Sequence, residues 1–487
     1  MKKILTYTLS FAMLVNVSFA QDEFDVLRYS TIGHYGDARY NAMGGSFGAL
    51  GANLSALSVN PAGLGVYKSS DISFSPAFHY NYSESNKDGN LVTDGKLNFH
   101  FSSLGLAGNF EGNGDWEVLN VAIGYNRLSN YNTSISIKSS TNNSFLDTYT
   151  SELNSGNGTP EEDISIDFPF ASNLAYQTYL VNPLVLDSLK YDHVFVNSNN
   201  MSQLTSYETR GGAGEMYLAF GSNYSNKLYI GGLLGIPTVR YVYDKNYTET
   251  ADPSDTLTDF QSFSVHDYIK TSGTGINLKL GMIYKVNDWF RVGAAFHTPT
   301  FYSLTDEWYT TISSEDKLGE VLTEDSPLGN FNYFVTTPYR FISSAAVVVG
   351  MHGVINADYE IVDYATARIK GDQSFGVVDF SSENERIRNN FKLTHNLKIG
   401  TEWRIDPFRV RAGYRFEGAP INNSVSGNSN ASTYTFGIGI KQDEYYFDMA
   451  YSLNARQSEA AIVSEEKDLA LVNMKNHYVV MTLGFRL

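Results

Sequence analysis

The chain has 487 residues and an amino-acid composition that favours a membrane β-barrel. Tyr (34), Phe (30) and Gly (41) are abundant, whereas Pro (12) and charged residues (18%) are few. The formal charge of −17 argues against nucleic-acid binding. The absence of Cys excludes disulfides, Cys-type zinc sites and thiolate chemistry.

The first twenty residues have the pattern of a secretory signal peptide. Two lysines precede an apolar stretch at residues 4–17, and Ser18-Phe19-Ala20 supplies the small residues of a cleavage site. Residues 1–20 are therefore predicted to be removed, so that Gln21 begins a mature chain of formal charge −19. A lipoprotein would need Cys at that position, and no apolar run long enough for a transmembrane helix follows.

Fourteen later segments alternate between apolar and polar residues with a period of two, which predicts β-strands. They lie near 71–83, 97–110, 116–127, 214–222, 227–246, 274–286, 289–303, 340–351, 353–366, 391–405, 408–417, 431–441, 444–453 and 477–487. Twelve or sixteen strands are alternatives, because 131–137 and 260–270 alternate as well. The prediction is an all-β fold in which residues 71–487 form a 14-stranded antiparallel transmembrane barrel.

Very short connections between these segments alternate strictly with long polar ones, of which 128–213 is the longest. Short periplasmic turns and long external loops are typical of barrels in the outer membrane of Gram-negative bacteria. We therefore expect both termini in the periplasm, contact with outer-membrane lipid, and recognition of the C-terminal strand by the barrel-assembly machinery. A secreted soluble β-protein would have no reason to sort its loops in this way.

The hairpin at 391–417 predicts which side chains face the lumen. Charged residues on the lipid face cost about 2–4 kcal/mol at the bilayer midplane, so the charged face must point inward. The lipid face then carries Leu397, Ile399, Trp403, Ile405 and Phe408, and the lumenal face carries Lys398, Glu402, Arg404, Arg409, Arg411 and Arg415. The same reasoning directs Lys279, Lys285, Arg291 and His297 into the lumen.

Residues 21–70 do not alternate and are rich in small residues, with Gly and Pro interrupting any long helix. Such a segment can fold compactly inside a pore. Its glycines lack the Lys and Ser/Thr of a phosphate-binding loop and the spacing of a dinucleotide-binding turn.

In this segment, Ala42-Met43-Gly44-Gly45 followed by Asn60-Pro61-Ala62-Gly63-Leu64 resembles the hatch of the FadL/TodX family of outer-membrane transporters. Weaker likenesses follow at His297-Thr298-Pro299, at Asp358-Tyr359-Glu360 and at Arg411-Ala412-Gly413-Tyr414-Arg415. The resemblance implies a 14-stranded barrel whose lumen holds an N-terminal hatch at 21–70. The hatch residues would be Met43, Gly44, Gly45, Asn60, Pro61, Ala62 and Gly63.

The resemblance also implies uptake of hydrophobic small molecules, either long-chain fatty acids or aromatic hydrocarbons, with sideways release beside a kinked strand. Long-chain fatty acids are the favoured ligand. Arg409, Arg411, Arg415, Lys279 and Arg291 are candidates for binding an anionic head group. The lumenal arginines could instead pair with Glu402 and Glu417.

Several other functions stay open at this stage. They are a general porin, a haem-related receptor and a surface adhesin that uses the long 128–213 loop. An enzyme is not expected, because the nine His residues include no His-x-His or His-Glu-x-x-His arrangement. No cofactor or metal is expected, no nucleic acid is expected as a partner, and a monomer is the expected state.

Overall fold

The computed structural model describes residues 21–33, 35–372, 378–422, 430–461 and 469–487. The predicted signal peptide at 1–20 lies outside the described residues. Helices and strands account for most of the described chain, and the strands dominate.

The described strands are numbered in chain order. They are β1 (Asp71–Lys87), β2 (Asn90–Glu111), β3 (Trp116–Asn130), β4 (Thr133–Thr141), β5 (Val181–Leu184), β6 (Asp187–His193), β7 (Met201–Tyr224), β8 (Leu228–Thr250), β9 (Phe260–Lys285), β10 (Phe290–His297), β11 (Phe301–Asp316), β12 (Val321–Asp325), β13 (Gly329–Thr336), β14 (Arg340–Val349), β15 (Gly353–Asp363), β16 (Arg368–Gly371), β17 (Leu393–Ile405), β18 (Phe408–Glu417), β19 (Ala431–Lys441), β20 (Tyr445–Ala461) and β21 (Leu469–Arg486).

Short helices fill the remaining elements. The α-helices are α1 (Glu23–Ser30), α2 (Ala38–Ala42), α3 (Leu146–Leu153), α4 (Glu161–Asp167), α5 (Ser172–Gln177) and α6 (Ser381–Asn390), and the 3-10 helices span Ser55–Ser58, Pro61–Val66 and Tyr364–Thr366. None of the helices in the described part of the chain is long and apolar enough to cross a bilayer.

All strands except β5 and β6 belong to one antiparallel sheet, which closes because β1 pairs with β21. Four positions around the barrel hold two collinear strands with a short interruption between them: β3 with β4, β10 with β11, β14 with β13, and β15 with β16. Since β12 pairs with β11 alone, the circuit has fourteen strands. The predicted 14-stranded antiparallel barrel is therefore confirmed.

Side chains alternate between the two faces of the sheet as the sequence pattern indicated. On β9, the outward-facing residues from Ile276 to Tyr284 are apolar and exposed, whereas Lys279 points inward and is buried. The hairpin of β17 and β18 has the expected register, with Leu397 and Ile399 outside and Lys398 and Arg411 inside. The outward-facing apolar residues form an exposed band on the barrel, which is the surface that lipid requires.

Several strands continue far beyond this band, toward the end of the barrel that carries the long connections. This is called the long-loop end, and the opposite end is called the short-turn end. β7, β8 and β9 have 24, 23 and 26 residues, although about 9–11 suffice to cross a membrane. Above the band, polar contacts such as the Arg210–Asp244 ion pair (3.2 Å) cover the outer face. The predicted strands were too short here because the outer face turns polar above the band, and the alternating stretch 260–270 is the continuation of β9 rather than a separate strand.

Because β4 and β7 occupy the two ends of the predicted 128–213 loop, the remaining connection is the stretch between these two strands. This stretch is folded. It contains α3, α4, α5 and the β5–β6 hairpin. Apolar side chains such as Leu146, Leu153 and Phe195 pack against Tyr247 and Phe263 at the ends of β8 and β9. These residues form a folded cap with its own apolar core at the long-loop end of the barrel.

Residues 21–70, hereafter the N-terminal segment, lie inside the barrel. The segment begins toward the long-loop end, where the Nε2 of Gln21 lies 2.7 Å from the Oδ2 of Asp306 on β11. It ends at the short-turn end, where Ser70 accepts a backbone hydrogen bond from the C-terminal Leu487 (3.0 Å). Gln21, expected at the periplasmic end, is thus placed within the lumen.

Candidate functional site

Glycines on the inner face of the barrel allow the N-terminal segment to pack directly against the strands. A Cβ atom at Gly231 would lie 2.4 Å from the carbonyl oxygen of Pro61, and one at Gly281 would lie 1.9 Å from the Oδ1 of Asn60. Because neither position leaves room for a side chain, the predicted hatch residues Asn60 and Pro61 touch the sheet backbone itself.

Asn60 holds the turn at this contact in two ways. Its Oδ1 accepts a hydrogen bond from the backbone N–H of Ala62 (3.1 Å), which caps the 3-10 helix Pro61–Val66. Its Nδ2 donates to the carbonyl oxygens of Gly48 (2.6 Å) and Met282 (3.2 Å). One buried amide therefore joins two parts of the segment to β9.

The predicted residues Met43, Gly44 and Gly45 make a second contact, on the opposite side of the barrel. Gly44 and Gly45 have positive φ angles of 64° and 76°, a conformation that favours glycine. Added Cβ atoms at Gly400 on β17 and Gly413 on β18 would lie 2.3 Å from the Met43 carbonyl oxygen and the Gly44 nitrogen. Sequence reasoning missed these strand glycines, because a glycine in a strand does not reveal what approaches it.

A buried ionic network holds the segment beside this second contact, on β17 and β18. Arg39 donates to both carboxylate oxygens of Glu402 (2.8 and 3.0 Å). Arg411 donates to Glu402 (2.5 Å) and to Asp448 (2.6 Å). The candidate head-group residue Arg411 therefore has two carboxylate partners, and its placement matches the alternative of structural pairing with Glu402.

The other candidate cations are dispersed. Arg409 lies at the short-turn end and contacts Asp406 (2.9 Å). The hydrogen bond from Arg404, and to a lesser degree that from Arg409, holds the pKa of the exposed Asp406 carboxyl below its usual value. Arg291 donates to the backbone carbonyl of Leu50 (3.3 Å). Arg415 is buried, and its Nε lies 3.5 Å from Glu417. The structure does not bring the predicted Arg row together at one binding point.

Instead, a cavity in the middle of the lumen gathers a different set of charges. It is lined by Arg127, Lys279, Arg340, Lys398 and the carboxylate of Glu360. Arg340 and Lys398 share Glu360 (2.7 and 2.8 Å), and Lys279 pairs with Glu215 (2.5 Å). Four cations thus face two carboxylates. Lys279 is the one candidate head-group residue that lines this cavity, and the predicted lumenal residues Lys398 and His297 line it as well.

Arg127 has no carboxylate partner within ion-pair distance among the described residues. Its Nε donates to the backbone carbonyl of Ser129 (2.9 Å), and its Nη2 donates to that of Gly211 (2.8 Å). It lies on β3 beside an irregularity in the pairing of β3 with β7. In the sequence, Arg127 is marked only as a single cation near the polar end of a predicted strand. A single cation of this kind does not indicate a binding site.

Next to Arg127, the barrel wall is split. Pairing of β2 with β3 ends at Ser103 and Asn126, so that β2 toward the long-loop end pairs with β1 alone. The free edge of β3 is taken by the N-terminal segment, because the N–H of Gly33 donates to the carbonyl of Leu128 (2.7 Å) and the Oγ of Ser129 donates to that of Thr31 (2.9 Å).

Beyond the split, β4 passes behind the inner faces of β1 and β2 and does not pair with β2. Ser83 and Ser85 of β1 donate to the backbone carbonyls of Ser134 (2.6 Å) and Ser136 (2.5 Å). Across the split, β2 makes its contacts through side chains: Asn98 accepts from Asn130 (3.5 Å), Asp94 accepts from Ser134 (2.6 Å), and Lys96 donates to the backbone carbonyl of Thr209 on β7 (3.1 Å). The two edges therefore overlap without a backbone ladder between them.

Comparison with solved structures confirms the expected FadL/TodX fold. The toluene transporter TodX of Pseudomonas putida aligns with 94% of this chain and 99% of its own, at 13% identity and a TM-score of 0.53. A FadL homologue of Pseudomonas aeruginosa aligns with 94% and 99% at 11% identity and a TM-score of 0.56. The toluene transporter TbuX of Ralstonia pickettii aligns with 93% and 99% at 14% identity and a TM-score of 0.50.

At these identities, the likeness is one of fold. No protein-family model matches the sequence, and no curated protein matches it. The function is therefore inferred from the geometry of the lumen and the wall.

Proposed function

We propose that the chain is an outer-membrane channel for hydrophobic small molecules, in which the N-terminal segment acts as a hatch. Within this class we propose long-chain fatty acids as the ligands, because the cations around the lumenal cavity suit a carboxylate head group. In this proposal, the short-turn end faces the periplasm, the folded cap faces outside, and the exposed apolar band contacts lipid. The ligand passes through the lumenal cavity and leaves sideways, through the wall, into the membrane.

The split between β2 and β3 is the observation that carries the proposal. A long acyl chain gains about 0.8 kcal/mol for each methylene that leaves water, so a direct exit into lipid is favoured over a passage through the periplasmic turns. The split offers such an exit, and it adjoins the cavity through Asn126, Arg127 and Leu128. Residues 31–33 occupy the free edge of β3 and so control the opening.

A reversible cross-link tests this route, since the chain has no native Cys. Asn98→Cys with Asn130→Cys places two thiols across the split, where the native side chains meet at 3.5 Å. Oxidation should stop oleate uptake by cells that depend on this protein, and reduction should restore it.

A matched control places the thiols on the same two strands below the split. Leu106 and Ile123 lie opposite each other in the intact ladder and face outward, so their cross-linked variant should transport normally. Undiminished uptake with the Asn98–Asn130 pair fully cross-linked would reject sideways release.

The charge of the cavity supports an anionic head group. A plain hydrocarbon needs no cation, whereas a carboxylate is stabilised by the excess of Arg127, Lys279, Arg340 and Lys398 over their two acidic partners. Aromatic hydrocarbons, the other ligand class implied by the fold, would leave this excess without a role.

Binding measurements on the purified protein separate these classes. Oleate should bind at least about tenfold more tightly than methyl oleate, because a charge-assisted hydrogen bond contributes about 1.5–3 kcal/mol. Toluene should bind more weakly than oleate. Equal affinity for the acid and its methyl ester would contradict the assignment of an anionic ligand while leaving the route untouched.

A further inference from the structure

The first residue expected in the mature chain sits against a buried carboxylate. Asp306 on β11 is only 1% exposed, and Gln21 is 2% exposed. Asp306 accepts hydrogen bonds from the Nε2 of Gln21 (2.7 Å) and from the hydroxyl of Tyr333 (3.2 Å). Thr271 on β9 is a third hydrogen-bond partner. All three partners are neutral, and within the described ranges no Lys, Arg or His lies within ion-pair distance of Asp306.

The neighbouring cations are already committed to other acids. Arg28 pairs with Asp25 on α1, and Arg386 on α6 pairs with Glu23 (2.8 Å). Asp25 and Glu23 are themselves buried. An ionised carboxylate buried among neutral donors is unfavourable, and a nearby positive charge offsets part of its desolvation.

We propose that Asp306 is the binding site for the α-ammonium group of Gln21. Cleavage after Ala20 would replace a neutral peptide bond by a positive charge at a residue whose own side chain already touches Asp306. The ammonium group is then the missing counter-ion, and it fixes the start of α1 inside the lumen. Processing of the signal peptide thereby completes the seating of the N-terminal segment.

This inference rests on the predicted cleavage site and not on the transported ligand. A short extension tests it: inserting Ala-Ser between Ala20 and Gln21 moves the ammonium group by about 7 Å and leaves every native side chain in place. Hydrogen exchange of the α1 amides in the detergent-purified protein reports the seating. The extension should speed this exchange roughly tenfold, as expected for loss of a hydrogen bond between charged groups.

The decisive comparison is a double-mutant cycle with Asp306→Asn. If the two groups interact, the extension should have little further effect in the Asp306→Asn protein. Asp358→Asn is the matched control, because Asp358 is another buried carboxylate that holds the segment, through the N–H groups of Phe47 (2.9 Å) and Gly48 (3.1 Å). In that background the extension should keep its full effect.

Two results would overturn the inference. One is an extension effect of the same size with and without the Asp306 carboxylate. The other is an intact mass showing that the mature chain starts elsewhere, or that Gln21 has cyclised to pyroglutamate with loss of ammonia, since either removes the amine from this position. Neither measurement involves uptake, so such a failure would leave the proposed channel function standing.

Discussion

Replacing Gly231 by Ala should unseat the N-terminal segment from the barrel wall without unfolding the barrel. Gly231 lies on β8 where Pro61 and Ala62 cross the strand. An added methyl carbon would lie 2.4 Å from the carbonyl oxygen of Pro61 and 2.7 Å from the nitrogen of Ala62. Both contacts are with backbone atoms, so no flexible side chain can move away to relieve them.

The size of the effect follows from overpacking. Insertion of a methyl group into a well-packed contact costs about 1–3 kcal/mol, which shifts the balance between seated and unseated segment by about 5- to 150-fold. The fourteen-stranded ladder is unaffected, because the substitution adds no atom between neighbouring strands. The barrel of the variant should therefore unfold at the same temperature in detergent as that of the unsubstituted protein.

Single-channel conductance in planar bilayers, together with limited proteolysis of residues 21–70, measures the unseated fraction. Gly231→Ala should show frequent large openings and faster cleavage within the segment. Gly232→Ala is the control at the next position of the same strand, where an added methyl carbon would meet Leu280 at 3.6 Å and the carbonyl oxygen of Lys279 at 3.9 Å, both ordinary van der Waals contacts. If the two variants behave alike, close packing at Gly231 does not hold the segment.

Two further substitutions test the ionic contacts. Glu402→Gln should destabilise the seated segment by about 3 kcal/mol, as expected when a buried charge partner is removed. Limited proteolysis of residues 21–70 should then be faster. Arg404→Gln, which breaks the exposed Arg404–Asp406 pair, should change the proteolysis rate little. Arg127→Gln should weaken oleate binding about tenfold or more and leave methyl oleate unchanged, while Arg409→Gln at the short-turn end should not affect either ligand. Equal losses for both ligands would assign Arg127 a purely structural role.

The sequence predicted fourteen strands, with twelve or sixteen as alternatives, and it determined the direction in which side chains point. Both follow from local periodicity: every second residue of a membrane strand meets lipid, so outward residues such as Leu397 and Ile399 must be apolar, and Lys398 must face inward. The composition of residues 21–70 likewise indicated a compact segment, and the strand pairing closed the sheet as expected.

Only the tertiary structure decided which lumenal charges are paired and which surround a cavity. Arg411 looked like its neighbours in the sequence, yet it is committed to Glu402 and Asp448, and Arg127, which no pattern marked, lies at the split. The partners come from strands and segments far apart in the chain, so local patterns carry no information about them. The position of Gln21 beside Asp306 escaped prediction for the same reason. The full extent of β7 and β9 escaped it because their outer faces turn polar above the lipid-facing band. Periodicity reports what a residue faces, whereas ion pairing depends on which distant residue occupies the space opposite.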